Sequence, residues 1–207
     1  MFLLAPASKH TSVSVTPRSG DVNTTFSFAG EGWRPGLRVQ ASYFVASSQT
    51  RALRTFGFIP RSNGRFLFEL TRPIGLVESG VTSSMCFRQQ KTRLCEDFYV
   101  AAPAAQFMPA TGKPGGAFLL VASGFLAGRR LQATLTLPNA TTRTFALSAR
   151  TDDAFVSGGP FGSILVSRGG AAVRFATKST DPPGAYTVLV RDSKAGSRAR
   201  AVLVLEA

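Results

Sequence analysis

The stretch PRSGDVNTTFSFAGEGWRPGLRVQA, residues 17–41, returns 92 residues later as PATGKPGGAFLLVASGFLAGRRLQA, residues 109–133, without a gap. Pro17 falls on Pro109, Gly20 on Gly112, Phe26 on Phe118, Gly32 on Gly124, Gly36 on Gly128, Arg38 on Arg130 and Gln40 on Gln132, with Trp33 opposite Phe125. Self-similarity of this kind sets the architecture before any local reading does. Toward the end of each copy the offset grows to 104, Gly80 to Val100 aligning with Gly184 to Val204, so the second copy holds about 12 extra residues between Arg150 and Gly170. Two copies of about 95 residues follow. The boundaries expected are an N-terminal arm over 1–10, a first domain over 11–101, a linker over 102–105, and a second domain over 106–207 with an insertion near 151–168.

Within each copy the hydrophobic period is two. Leu37, Val39, Ala41 and Tyr43 alternate with Arg38, Gln40, Ser42 and Phe44, the signature of a half-buried strand. Similar short runs recur at 11–16, 24–28, 51–58, 65–70, 81–88 and 93–100, and in the second copy at 117–121, 131–137, 142–147, 172–176, 185–190 and 198–205. Turn signals separate them, among them Arg34-Pro35-Gly36 and Ser62-Asn63-Gly64. No segment sustains a capped 3.6-residue pattern. The expected fold is all-β: two tandem immunoglobulin-like β-sandwich domains.

The runs Val15-Thr16-Pro17-Arg18-Ser19-Gly20 and Gly30-Glu31-Gly32-Trp33-Arg34-Pro35-Gly36-Leu37-Arg38-Val39 resemble the opening of bacterial immunoglobulin-like repeats of exported and cell-surface proteins. Pro183-Gly184-Ala185-Tyr186-Thr187-Val188 is similar to the penultimate strand of such repeats. A fainter resemblance links the chain to the neocarzinostatin-type chromoproteins, which implies a sandwich-end cleft for a small apolar ligand. Both resemblances rest on turn glycines and core aromatics, so they imply a fold and leave function open.

The two cysteines, Cys86 and Cys95, lie symmetrically about a centre between Gln90 and Lys91. A two-residue loop sets them directly opposite across a hairpin, close enough for a disulfide. A four-residue loop about the same centre does likewise. A structural disulfide favours an oxidising compartment, and Met1-Phe2-Leu3-Leu4-Ala5-Pro6-Ala7 reads as the end of a signal peptide. The expected location is outside the cell or on its surface. No apolar stretch reaches the ~20 residues of a membrane-spanning helix.

Composition leaves little for catalysis. The 207 residues carry one His, His10, ahead of the first strand-like run, and two Cys. No catalytic residues, metal site or cofactor are expected, and the protein reads as a non-enzyme. Asp152-Asp153, Asp181 and Glu96-Asp97 show no spacing that makes them converge. Gly158-Gly159-Pro160 and Gly169-Gly170 lack the Lys-Ser/Thr of a phosphate loop and read as turns. Trp33 and Phe125 read as packing residues.

The charge is the remaining functional signal. Lys and Arg total 24 against 11 acids, a formal net charge of +13, with 19 of the cations Arg. Residues 1–103 hold 12 cations and 6 acids, and residues 104–207 hold 12 and 5, so no basic tail accounts for the excess. Such a balance suits an acidic polysaccharide or another polyanion of the cell envelope, and no sequence-specific nucleic-acid motif is present. Another protein is the alternative partner. The contact segment expected is the insertion, with Asp152 and Asp153 followed by apolar Phe155, Val156, Phe161, Ile164 and Leu165. The competing expectation makes 162–167 an extra edge strand whose side chains enter the core. Function is therefore expected to be structural, adhesive or envelope-binding, with a small-ligand carrier or a polyanion-binding module as alternatives.

Overall fold

The computed structural model describes residues 10–45, 52–71, 73, 80–157 and 162–207, and among them every regular element is a strand. Two compact units emerge, the first holding most of residues 10–100 and the second residues 101–207 together with Asp21–Asn23. Each is an immunoglobulin-like sandwich.

In the first unit, β1 (Ser12–Thr16), β3 (Phe26–Glu31) and β6 (Phe66–Leu70) form a three-stranded sheet in the order β1-β3-β6. The facing sheet runs β2-β8-β7-β4-β5, from β2 (Ser19–Gly20), β8 (Thr92–Val100), β7 (Val81–Gln89), β4 (Val39–Val45) and β5 (Arg54–Phe58). The Thr16-Pro17 peptide is cis, and the short β2 beyond it pairs in parallel with β8. The chain thus changes sheets at Pro17, since proline offers no N–H to continue the first ladder. Phe26, Phe28, Phe87, Phe98, Tyr43 and Met85 are fully buried between the layers. Phe28 lies 5.6 Å from both Phe87 and Phe98, centroid to centroid, within the range of favourable aromatic pairs.

The second unit repeats this plan. Its three-stranded sheet is β16-β11-β9, from β16 (Ala171–Ala176), β11 (Ala117–Ser123) and β9 (Ala104–Met108). Its five-stranded sheet is β10-β18-β17-β12-β13, from β10 (Thr111–Gly112), β18 (Arg198–Leu205), β17 (Gly184–Arg191), β12 (Arg130–Thr136) and β13 (Thr142–Ser148). Met108-Pro109 is again cis, and β10 again pairs in parallel with the last strand. Leu120, Phe118, Phe125, Leu131, Tyr186, Val188 and Leu203 lead the core. Tyr186 hydroxyl donates to Pro182 O at 2.9 Å, the tie from a penultimate strand to the preceding corner that marks immunoglobulin-like sandwiches.

The repeated glycines have one conformational job. Gly36 and Gly128, at φ 77° and 75°, enter β4 and β12 through a left-handed residue, a region where a Cβ is penalised. One strand boundary falls inside the expected linker. β9 starts at Ala104, so the linker expected over 102–105 gives way to strand two residues early. The run 104–108 alternates too weakly to announce itself. The insertion is a hairpin, β14 (Ala154–Ser157) with β15 (Ser163–Val166), forming a sheet of its own. The N-terminal arm falls almost wholly outside the described residues.

Candidate anion-binding faces

Cys86 and Cys95 are paired in register across β7 and β8, with Cα atoms 4.0 Å apart and the disulfide formed. Gln89 pairs with Thr92, so the loop is the two-residue one, and Gln90 takes φ 53° to close it. Gln-Lys lacks the glycine or asparagine that usually fills such turns, which is why the longer loop was an equal expectation. The bridge lies on the outward face, with Cys86 buried and Cys95 exposed.

That outward face carries the charge. Inward positions of β4, β7 and β8 (Tyr43, Met85, Phe87, Phe98) pack the core, and the alternating pleat sends Arg88 and Arg93 outward. These two arginines are direct cross-strand partners. Arg93 Nη2 reaches Cys86 Sγ at 3.5 Å, and its guanidinium stands 5.9 Å from the ring centre of Phe44. Phe44, expected on the polar side of its strand, is 7% exposed there. A Cβ placed on Gly57 would collide with the Arg38 guanidinium. Arg38 thus lies across the glycine on the same face, with Lys91 exposed in the turn.

The second domain builds the same feature from different positions. Arg191 of β17 pairs directly with Arg198 of β18, and Gln132 pairs with Arg191 on the other side. Arg200 follows on the same face, about 7 Å along the strand from Arg198, and donates from Nη2 to Thr187 Oγ1 at 3.4 Å. Arg130 stands two residues before Gln132. Arg130, Arg191, Lys194, Arg198 and Arg200 are all exposed, and no carboxylate occupies an outward position of β12, β13, β17 or β18. Like charges set opposite one another across strands destabilise a sheet. Here the arrangement occurs in both domains, at the corresponding hairpin.

Next to this face in the second domain is a cleft of about 710 Å³ lined by Arg129, Arg130, Gln132, Thr144, Asp192 and Lys194, among others. Asp192 is 1% exposed. Its Oδ1 accepts from the Lys194 and Ala195 amides at 3.0 and 3.1 Å, and its Oδ2 lies 3.6 Å from Arg129 Nε. In the first domain a cleft of about 800 Å³ is lined by Trp33, Arg34, Gln89, Gln90 and Lys91, among others. Both are polar and cationic. Phe145 is the one phenylalanine among the lining residues of the second-domain cleft, beside polar and cationic side chains.

The expected contact segment is an arm. Phe155 and Leu165 are register partners on it, 74% and 55% exposed, while Val166 is buried. The expectation of an edge strand with core side chains therefore fails for Phe155 and Leu165. Ser163–Val166 is a strand, but of a separate two-stranded sheet. Asp152 is exposed beside Arg150, 3.4 Å away, and Asp153 Oδ1 accepts from the Arg168 amide at 2.6 Å, closing the base of the arm. Phe161 lies outside the described residues. Asp181 accepts from the Lys178 amide in its own turn, so Asp152, Asp153 and Asp181 are each tied locally. Among the described residues no three His, Cys, Asp or Glu gather to hold a metal ion, and His10 is exposed ahead of β1. Trp33 and Phe125 are buried, as their repeat positions implied. Among the described residues no helix is long and apolar enough to cross a membrane.

No family model matches the chain, and no curated protein matches it in sequence. Among solved structures it is similar to a tetra-tandem repeat from the extending region of a large adhesion protein, at 12% identity and a TM-score of 0.31 over 95% of this chain and 49% of that one. It is also similar to Salmonella alpha-2-macroglobulin reacted with methylamine, at 10% identity and a TM-score of 0.38 over 98% of this chain and 17% of that one. The chain spans about half the length of the first and a sixth of the second. The fold assignment rests on the strand order and the Tyr186 corner.

Proposed function

We propose that this is a non-catalytic, exported or surface-held protein whose tandem immunoglobulin-like domains attach to an anionic polymer of the cell envelope through the outward faces of their five-stranded sheets. The observation that carries the reading is the placing of like-charged residues as register partners, Arg88 opposite Arg93 and Arg191 opposite Arg198. Each costs its sheet stability and is relieved by a polyanion laid across it. The cystine favours an oxidising compartment. Outward positions of β12, β13, β17 and β18 hold no aromatic side chain, so the second domain lacks the stacking platform that single-stranded nucleic acid uses. Separately, the bare Phe155 and Leu165 pair makes the β14-β15 arm the place for contact with another protein.

The test is binding of the full chain to immobilised acidic polymers over a series of salt concentrations. Tight binding at low salt that weakens as salt rises is expected. The quadruple variant Arg88→Ser, Arg93→Ser, Arg191→Ser, Arg198→Ser should keep its fold and lower the slope by about one per cation removed. Binding that ignores salt, or that survives in the folded quadruple variant unchanged, would overturn the reading.

A further inference from the structure

Resting on that polyanion reading, we infer that the cleft of the second domain takes one residue of an acidic polysaccharide, a sugar bearing both a carboxylate or sulfate and free hydroxyls. The cleft's volume, about 710 Å³, lies within the range of small-molecule sites. Its chemistry is mixed. Arg130 and Lys194 are exposed on its rim and meet an anion. Gln132 and Thr144 are exposed within it, and their side chains make no hydrogen bond to the described residues. Each can donate and accept, which suits a hydroxyl, itself donor and acceptor. A bare polyphosphate offers acceptors alone.

Arg129 stands between the cleft and a buried carboxylate. Asp192 is locked by the amides of its own turn and sets its second oxygen 3.6 Å from Arg129 Nε. The two charges form an ion pair without a hydrogen bond between them, and about a third of the Arg129 side chain stays open, 35% by area. A buried carboxylate beside the cleft also disfavours a ligand made of closely spaced negative charge alone, whereas a sugar separates its anion from its hydroxyls by the width of a ring.

The first-domain cleft beside Trp33 is built differently. Gln89 accepts from the Arg34 amide at 2.9 Å and donates to the Arg34 and Leu37 carbonyls at 3.0 and 2.9 Å. Gln90 accepts from Arg34 Nη1 at 3.3 Å. The amide side chains of that cleft are already engaged within the protein. The first domain carries Arg38, Gln40 and Thr55 at the register positions of Arg130, Gln132 and Thr144, with the Arg38 guanidinium laid over Gly57 where the second domain has Ala146.

The experiment titrates the full chain, at fixed ionic strength, with a defined oligogalacturonate and in parallel with inorganic polyphosphate of similar charge. The variant is Gln132→Ala with Thr144→Ala, both exposed and outside the core, with circular dichroism to confirm the fold. The expected result is about tenfold weaker oligogalacturonate binding, the loss of two hydrogen bonds, with polyphosphate affinity unchanged. Lys194→Ala with Arg130→Ala should weaken both. Equal effects of the Gln132/Thr144 variant on both polymers, or none on either, would overturn this inference and leave the general polyanion reading standing. Failure of both polymers to bind the unaltered chain would overturn both.

Discussion

Tyr43 shows how far a single side chain commits the first domain to a pH range. It is fully buried between the sheets, its hydroxyl 3.2 Å from Ser83 Oγ. Burial raises its phenol above the ordinary 10.0, and the Ser83 hydrogen bond and nearby Arg54 only partly oppose this. The sign follows from linkage. An unfolded chain releases this proton near pH 10 while the native domain retains it, so the contribution is intact below pH 10 and is lost as pH climbs toward the native value. Denaturant midpoints for the first-domain transition are therefore expected to fall above pH 10, and Tyr43→Phe, though less stable at neutral pH, should fall less steeply. Parallel pH profiles for the two proteins would show that Tyr43 is not the group responsible. At this scale the sequence was legible wherever symmetry spoke. The positions of Cys86 and Cys95 about the turn centre announced their register, and Trp33 and Phe125 announced their burial by coinciding in the repeat. Phe44 could not be read, because the Arg93 guanidinium that lies over its ring on the outward face comes from another strand.

Elements were legible in proportion to their alternation. The last strand, Arg198-Ala199-Arg200-Ala201-Val202-Leu203-Val204-Leu205, states both its period and which face its arginines occupy. The opposition of Arg191 to Arg198 needs the hairpin register as well, and that was within reach of the same turn-centre counting that served the cysteines. The arm was harder. Its four-residue strands carry apolar side chains on both faces, so the pattern cannot separate an edge strand from a free hairpin. Its geometry predicts that it is dispensable for folding. Arg150 and Gly169-Gly170 are joined by backbone hydrogen bonds of 2.8 and 2.9 Å beneath the arm, which hold β13 and β16 without it. Replacing 151–167 with a short Gly-Ser turn removes Val166 from the core, a loss of about 1.5–3 kcal/mol. With a melting-temperature change of roughly 4–8 °C per kcal/mol for a domain of about 100 residues, calorimetry should show a drop of no more than about 24 °C in the second-domain transition. A shortened chain that fails to unfold cooperatively would return those side chains to the core. One that folds but loses attachment to a partner protein would make Phe155 and Leu165 its contact.

For the whole molecule, duplication explains why the charge looked featureless in sequence. Each half carries 12 cations spread along about 100 residues, and only strand order gathers them, since β4, β7 and β8, or β12, β17 and β18, come from distant parts of each copy. The same strand order argues that each copy is sufficient by itself. Every member of the second domain's core cluster lies between Ala105 and Leu205, and both of its sandwich sheets close within residues 104–205. Residues 104–207 are therefore expected to fold when expressed alone, with one cooperative denaturant transition. That fragment also separates the two contributions to binding. It keeps the cleft and one basic face, so its affinity for an acidic polymer should show a log–log salt slope about half that of the full chain, because the slope counts the cations engaged. A fragment that unfolds without a cooperative transition would show the two copies to be one merged sandwich. A folded fragment with the full slope would mean that the face built on Arg88 and Arg93 takes no part, and that the second domain alone holds the polymer.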